Sequence, residues 1–235
     1  MKTNSYVVNI KDIESFQKCP LIYKNFSPKN KTNNIALIEK LLTRIFFVEL
    51  KNNGTPPSIG SMKTYWGKIL KEETDNGMEL SKANNINMSL TQYYKYHVKN
   101  IKPFFDVVAV NFPARIEYSK GIFQDTIPVI FKSNDYGVVP LFYSSVGEKE
   151  TRSNKHRFGC ASFSIKTDIP VKKYANIKIT DNPRSLSITF HPLLHGELNR
   201  AIDELKQIVD LISSGYSVPS TRECNNCDFL QYCRL

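Results

Sequence analysis

Four of the five cysteines lie at the two ends of this chain, and that placement constrains the fold more than any other feature. Cys19 comes early, whereas Cys224, Cys227 and Cys233 fall within the last twelve residues in a C-x2-C-x5-C arrangement. A two-residue gap lets two thiolates converge on one centre, and one helical turn can return the third. Because zinc and cubane iron–sulfur centres usually take four protein ligands, we expect Cys19 to be the fourth.

The residues alone leave a second arrangement of the cysteine tail open. A zinc knuckle could combine the three C-terminal cysteines with a histidine such as His195, which would leave Cys19 as a buried side chain. Cys160 stands apart from both ends, on a predicted strand, and we expect it to be a small buried apolar residue.

The composition predicts a cytoplasmic protein with a polyanionic partner. The N-terminus has no apolar secretory segment, and no run of about 18 apolar residues predicts a membrane span. The Asn- and Lys-rich sequence suggests a bacterial or phage-infected cell. The net charge is +10, from 32 Lys+Arg against 22 Asp+Glu, which favours nucleic acid. The predicted nucleic-acid contacts are Lys149, Arg152, Lys155, Arg157, Lys166, Lys172 and Lys173, extended by Lys178.

Hydrophobic periodicity predicts an α/β protein, a single domain over 1–235 with a small mixed sheet flanked by helices. Residues 52–86 are interpreted as a loop-bearing insertion with a short helix over 62–73, and residues 219–235 as the cysteine-rich tail. Helices are predicted over 12–26, 34–51, 88–102 and 198–215. Strands are predicted over 107–110, 116–130, 138–143, 158–169, 174–180 and 186–190.

Both ends of the chain match one family at motif level. Residues 15–23, SFQKCPLIY, resemble the opening of RecB-like nucleases of the PD-(D/E)XK superfamily, which pairs a short helix with a Cys-Pro-x-x-Tyr/Phe step. The tail around Cys227 and Phe229 is similar to the family's Cys-x-Phe/Tyr ending. In the iron-staple branch, which includes the CRISPR adaptation exonucleases and the AddB helicase–nuclease subunit, one N-terminal cysteine and a C-terminal C-x2-C-x5-C ligate a [4Fe-4S] cluster.

This resemblance implies a restriction-endonuclease-like fold whose termini are joined by a structural cluster on the four terminal cysteines. It also implies binding to DNA, as single strands or duplex ends. A protein partner such as a helicase is expected, within a recombination, repair, replication or defence complex.

The family's catalytic pattern is not recognisable in the predicted strands. The family places a histidine on an early helix, then Gly-x-Ile-Asp on one strand and Asp/Glu-x-Lys on the next. Here the helix over 34–51 has no histidine, Pro128 stands where the aspartate is expected, and residues 138–143 offer neither acid nor lysine. A shifted register would place Asp125 in the metal position, with Glu148-Lys149-Glu150 contributing from the next loop.

The sequence therefore predicts an iron–sulfur-stapled, nuclease-fold protein that binds DNA and has lost its catalytic centre. One alternative is an active exonuclease that uses Asp125 and Mg²⁺ or Mn²⁺. Another alternative, of a different class, is a zinc-stapled interaction module with no nucleic-acid role.

Overall fold

A six-stranded mixed sheet lies between two layers of helices in the computed structural model, which describes residues 6–25, 34–76, 84–101, 106–145, 154–179, 186–194 and 196–218. The strands are β1 (Tyr6–Val8), β2 (Asp106–Glu117), β3 (Gly121–Ser133), β4 (Gly137–Ser145), β5 (Lys173–Ile179) and β6 (Ile188–Pro192). The helices are α1 (Ile10–Lys18), α2 (Pro20–Asn25), α3 (Asn34–Leu41), α4 (Phe47–Asn53), α5 (Ile59–Asp75), α6 (Asn84–Asn100), α7 (Asn154–Thr167) and α8 (Glu197–Ser213). A π-helical turn over Leu42–Phe46 joins α3 to α4. The predicted α/β class with a mixed sheet flanked by helices is confirmed.

Strand β3 is the centre of the sheet. On one side it pairs antiparallel with β2 from 122 to 132. On its other side it pairs with β1 in parallel and with β4 in an antiparallel ladder. Strand β5 continues in parallel beside β4, and β6 closes the far edge antiparallel to β5. The mixed directions arise because the β2–β3–β4 meander uses short turns, whereas β4 reaches β5 through helix α7.

The two helical layers bury different apolar sets. Helices α3 to α6 cover one face with a core that includes Phe46, Phe47 and Trp66, together with Phe131 of β3. Helices α1, α7 and α8 cover the other face. Along β4, Leu141 and Tyr143 join the first core while Phe142 joins the second, as alternation along a strand requires. No helix in the described ranges is long and apolar enough to cross a membrane.

The strand predicted over 158–169 is wrong, because this segment belongs to helix α7. Residues 158 to 163 are all buried, so the helix shows no polar stripe that would reveal a period of 3.6. Cys160 is fully buried on this helix, as expected for a small apolar side chain, and burial raises its pKa well above the ordinary value.

Other boundaries differ from the prediction in ways that the residues explain. The helix predicted over 12–26 is interrupted at Cys19, where Pro20 begins α2, a position that tolerates a residue without an N–H. The run over 116–130 is divided by a turn after Glu117 and belongs to β2 and β3. Within 52–86, α5 is a helix of 17 residues with Met62, Trp66 and Ile69 buried, longer than the short helix predicted there.

Candidate active site in a notch of the sheet

Strands β3 and β4 separate part-way along the sheet and leave a notch. Their pairs extend from Ser133 with Gly137 to Val129 with Leu141 and end there. Because β1 pairs with β3 only over 121–123, residues 124–128 have β2 on one side and no strand partner on the other among the described strands. Pro128 lies just past the last β3–β4 pair, and it has no N–H to continue the ladder. We define the notch as residues 124–128 of β3 and 142–145 of β4.

The strand β3 also changes face at Pro128. Phe123 and Ile127 pack towards α7, with the Phe123 ring centroid 6.4 Å from that of Phe158. Val129 and Phe131 have the same parity but pack towards α3 to α6, where the Phe131 ring centroid lies 5.7 Å from that of Phe47. Asn111 of β2 has a positive φ of 51° at this level, so both strands are irregular here.

Asp125 therefore lies on the α1/α7 side of the sheet, between Phe123 and Ile127. Its carboxylate is half-buried, and its Oδ1 accepts a hydrogen bond of 2.8 Å from the backbone N–H of Thr126. Alternation along β3 therefore breaks at Pro128, so Asp125 and Val129 lie on opposite faces of the sheet although four residues separate them. The position of the family's aspartate stays a prediction.

Glu39 and Lys155 reach the same place from opposite helical layers. Glu39 belongs to α3 and Lys155 to the first turn of α7, and the Nζ of Lys155 lies 3.8 Å from Oε2 of Glu39. The side chain of Lys155 is 28% exposed and that of Glu39 is 26% exposed, so solvent or a ligand can reach both. Since the sheet elsewhere separates the two layers, we place this contact at the notch, together with Asp125. We call Glu39, Asp125 and Lys155 the notch triad.

The carboxyl groups of the triad hold their protons more tightly than ordinary acids. Burial raises the pKa of Glu39, and the nearby charge of Asp125 raises it further, against the opposing charge of Lys155. Burial likewise raises the pKa of Asp125, while the Thr126 N–H and the charges of Lys155 and Lys11 act to lower it. Two acids that lie near each other beside a single ammonium repel one another when both are ionised. An added cation would reduce that repulsion.

Helix α3 is held firmly against its neighbours on both sides of Glu39. Leu37, Ile38 and Leu41 are buried, and the Thr43 hydroxyl donates to the Glu39 carbonyl at 2.8 Å. Lys40 reaches α5, with its Nζ 2.9 Å from Glu72 and 2.7 Å from Glu73. Arg44 adds a 2.8 Å contact to Glu72. The register of α3, and with it the position of Glu39, is thus fixed by packing and by ion pairs.

The first turn of α7 is anchored by aromatic and charged contacts. The His156 ring lies 4.7 Å from Phe142 and 4.9 Å from Tyr174, centroid to centroid, over β4 and β5. Arg157 pairs with Glu204 of α8. Burial lowers the pKa of His156 to about 3, so this ring is neutral and packs as an aromatic side chain. These contacts therefore fix the position of the Lys155 backbone.

The triad has the composition of a small divalent-cation site next to a phosphate. Mg²⁺ is commonly held by one or two carboxylates, with water and substrate phosphate oxygens completing its shell. Glu39 and Asp125 would supply two carboxylates. The described residues contain no group of three or more His, Cys, Asp or Glu side chains that could hold a metal. Glu148 and Glu150 belong to the segment 146–153 between β4 and α7, which lies outside the described residues.

Sequence reasoning missed Glu39, although a signal was present. Leu42, Thr43 and Phe46 follow it at three, four and seven positions, and all three are buried. An acid on the same stripe as buried residues is unusual on a helix and points to a functional site.

Comparisons with known proteins support the architecture. No protein-family model matches, and a search of curated proteins finds no match. A crystal structure from Eubacterium rectale, of a protein described as a candidate exonuclease, aligns over 100% of this chain and 90% of its own, with a TM-score of 0.57 and 10% identity. The chain shares the overall fold of that structure. A second crystal structure, of SSO0001, aligns over 99% of this chain and 87% of its own at 12% identity. Its TM-score is only 0.38, too low to indicate a shared fold.

The predicted cysteine centre is only partly within the described residues. Cys19 caps the end of α1 and is buried, with 8% exposure. Cys224, Cys227, Cys233 and the alternative ligand His195 all lie outside the described ranges. The chain after α8 nevertheless returns to α1, since the Tyr216 ring centroid is 6.2 Å from that of Phe16. Tyr216, near the end of the described residues, therefore lies beside α1.

The basic residues predicted to contact nucleic acid are dispersed. Lys155 belongs to the notch triad and Arg157 pairs with Glu204. Lys166 lies at the other end of α7, about 16 Å further along the helix axis, and donates to the Pro113 carbonyl at 3.0 Å. Lys172 is exposed before β5, and Lys173 covers the Tyr136 ring with its Nζ 3.7 Å from the centroid. Lys178 is half-buried near the end of β5, and Lys149 and Arg152 lie outside the described residues.

Proposed function

We propose that this protein binds DNA and cleaves its phosphodiester backbone at the notch triad with a divalent metal ion. One observation carries the proposal: Glu39 of α3 and Lys155 of α7 meet from opposite helical layers near Asp125 of β3, at the point where the sheet opens. This arrangement favours the active exonuclease over the inactive DNA-binding protein that the sequence motifs alone suggested.

Each member of the triad has a role that follows from its chemistry. Glu39 and Asp125 would hold the cation, because ionised carboxylate oxygens are the ligands that Mg²⁺ and Mn²⁺ prefer. A divalent ion there would polarise a phosphate oxygen and favour formation of hydroxide from a bound water. The Lys155 ammonium, now beside Glu39, would turn to the phosphate and orient it against the acids.

A cleavage assay with matched variants tests the proposal. Single-stranded and duplex DNA are incubated with Mg²⁺ or Mn²⁺ and with wild type, Asp125→Asn, Glu39→Gln and Lys155→Met. Each triad variant should lose at least about a hundredfold in rate, the scale of removing one group that stabilises transition-state charge. Asp135→Asn is the control, because Asp135 is exposed in the turn at the opposite end of the β3–β4 hairpin. Wild-type cleavage that survives in Asp125→Asn would contradict the assignment.

DNA binding without cleavage is the second candidate. It is favoured by the small number of ligands, since the described part of the chain brings only two carboxylates to the notch. Strand β4 presents Tyr143 and Ser144 there, neither of which can replace an acid. A wild-type protein that binds DNA but releases no product with either metal would establish this candidate instead.

We further propose that the two ends are joined by a [4Fe-4S] cluster on Cys19, Cys224, Cys227 and Cys233. The proximity of Tyr216 to Phe16 supports the ligand set, because Cys224 follows the last described residue, Val218, by six positions. Six extended residues reach about 20 Å, which is sufficient to bring the tail to the end of α1. The cluster would close a loop of about two hundred residues. It would stabilise the fold because the cross-link lowers the conformational entropy of the unfolded chain.

The cluster is tested by absorbance and metal analysis of anaerobically purified protein. Absorbance near 400 nm with about four irons per chain is expected for a cubane centre, and Cys227→Ser should lose both. Colourless protein with one zinc would identify the zinc-stapled alternative. Cys160→Ser serves as the control, since Cys160 is buried on α7.

The proposed setting is a cytoplasmic DNA-processing complex with a protein partner such as a helicase. This part of the proposal depends on the resemblance at the two ends of the chain. Co-purification of the tagged full-length protein from its host, with and without nuclease treatment of the lysate, would separate a protein partner from proteins bridged by DNA.

A further inference from the structure

We propose that Lys11 and Lys155 are the two phosphate contacts on either side of the acidic pair, so that the backbone of a bound strand lies between the first turns of α1 and α7. The inference rests on the proposed function and deepens it by giving the path of the substrate. It adds Lys11, a residue that neither the charge pattern nor the resemblance selected.

The topology brings the two helices to one place. Strand β1 runs parallel to β3 and ends with Val8 opposite Phe123, two residues before the level of Asp125. Strand β4 runs in the opposite direction and reaches the notch from the other end. Helix α1 begins directly after β1, and α7 is the next helix after β4. Both helices lie in the same layer and share one apolar core through Ile13 and Phe158.

The two lysines come to the region of Asp125 from these helices. Lys11 is the second residue of α1 and is exposed, whereas Lys155 is the second residue of α7 and half-buried. Both positive charges act on the Asp125 carboxylate. A strand whose phosphate lies at the acids would therefore come near both ammonium groups, and such contacts hold a backbone without reading its sequence.

In the proposed contact the ammonium of Lys11, rather than the backbone amides at the start of α1, binds the phosphate. Asn9 caps this helix, and its Oδ1 accepts hydrogen bonds from the backbone N–H of Lys11 at 2.8 Å and of Asp12 at 3.1 Å. The Asp12 carboxylate in turn accepts from the Asn9 N–H at 2.9 Å. Because these amides are already paired, the contact depends on the ammonium and should disappear when Lys11 is truncated.

The test is the salt dependence of binding to a labelled oligothymidine, measured by fluorescence anisotropy in EDTA to prevent cleavage. Each lost phosphate contact lowers the slope of log K against log salt by about 0.7 for a single strand. Lys11→Ala should show this decrease. Its affinity relative to that of the wild type should therefore be about fivefold lower at ~0.1 M salt than at ~1 M salt. Lys155→Ala should show a similar decrease in slope, and Lys11→Arg should restore the wild-type slope.

Lys71→Ala is the matched control, because Lys71 is exposed on α5 in the opposite layer. An unchanged slope in Lys11→Ala would overturn the inference, and so would an equal decrease in Lys71→Ala. Absence of oligothymidine binding by the wild type would overturn it as well.

Cleavage by the same preparations separates this inference from the proposed function. If the wild type cleaves with Mn²⁺ but Lys11→Ala keeps the wild-type slope, the assignment of the triad stands and the proposed path of the strand is wrong. A Lys11-dependent slope in a protein that does not cleave supports the path and contradicts the proposed catalysis.

Discussion

Strand β3 is paired on both sides over 129–133, whereas its residues 124–128 lie beside the notch, and the two halves carry different side chains. In the paired half, Val129, Ile130 and Phe131 have no exposed surface. In the open half, Gln124 and Thr126 are exposed and Asp125 is half-buried. Over 129–131, pairing on both edges with helices on both faces excludes water, which favours apolar side chains there. Where β4 departs, charges from both helical layers can meet.

The largest expected difference between the halves is in stability. Phe131→Ala should lower the free energy of unfolding by about 3–5 kcal/mol, because it leaves a cavity against Phe47 that the rigid core cannot fill. Thr126→Ala in the open half should change it by less than about 0.5 kcal/mol. Urea unfolding of both variants measures the contrast. Similar losses in the two variants would mean that the notch is packed like the core.

A buried polar pair on the α3 to α6 side of the sheet provides the second prediction. His97 is fully buried, with its Nδ1 2.7 Å from the Tyr93 carbonyl and its Nε2 3.1 Å from the Tyr143 hydroxyl. The carbonyl accepts from Nδ1–H, so Nε2 accepts from Tyr143. Burial lowers the pKa of His97 from 6.5 to about 4.

The unfolded chain therefore binds a proton at this residue between about pH 6.5 and 4, whereas the folded chain does not. Stability should fall as the pH decreases through that window, by on the order of 3 kcal/mol from His97. His97→Gln, which cannot titrate, should lose correspondingly less between pH 7 and pH 4 in urea unfolding. His191→Gln, a half-exposed site, is the control. Equal pH dependence in wild type and His97→Gln would contradict the buried neutral histidine.

The approach of α7 to the sheet gives a third, smaller effect. A Cβ on Gly159 would lie 2.9 Å from Cζ of Phe142, a ring that is almost fully buried at the notch. Gly159→Ala should therefore cost about 1–3 kcal/mol, as overpacking does. Gly67→Ala on α5, where the added Cβ meets nothing within 4 Å, should stabilise by about 0.5–1 kcal/mol. A stabilised Gly159→Ala would show that the helix can move away from β4.

These contrasts also explain how much could be predicted from the sequence. Helix α3 has a clear helical period, and β4 is a short apolar run that follows the turn signals at 134–137, so both elements and the mixed sheet were predictable. Helix α7 is buried at every position over 158–163 and shows no helical period there, which is why 158–169 was predicted as a strand. Asp125 was a candidate only under a shifted register, because β3 changes face at Pro128. Glu39 meets Lys155 only through tertiary structure, since α3 and α7 lie on opposite faces of the sheet.

The smallest expected change has the opposite sign. Because burial raises the pKa of Asp125 in the folded state, its ionisation at neutral pH costs the folded protein stability. Asp125→Asn removes that cost and keeps an oxygen for the Thr126 N–H, so the Tm in EDTA should rise. Asp135→Asn should leave the Tm unchanged. A lower Tm in Asp125→Asn would mean that Asp125 stabilises the fold rather than serving a site.

The central claim is that Glu39 and Asp125 form one cation site at the notch, and a calorimetric titration with Mn²⁺ tests it most directly. One site is expected in the wild type and in Asp135→Asn, with binding weakened at least about tenfold in both Asp125→Asn and Glu39→Gln. Wild-type affinity retained in either of the last two variants would contradict the claim.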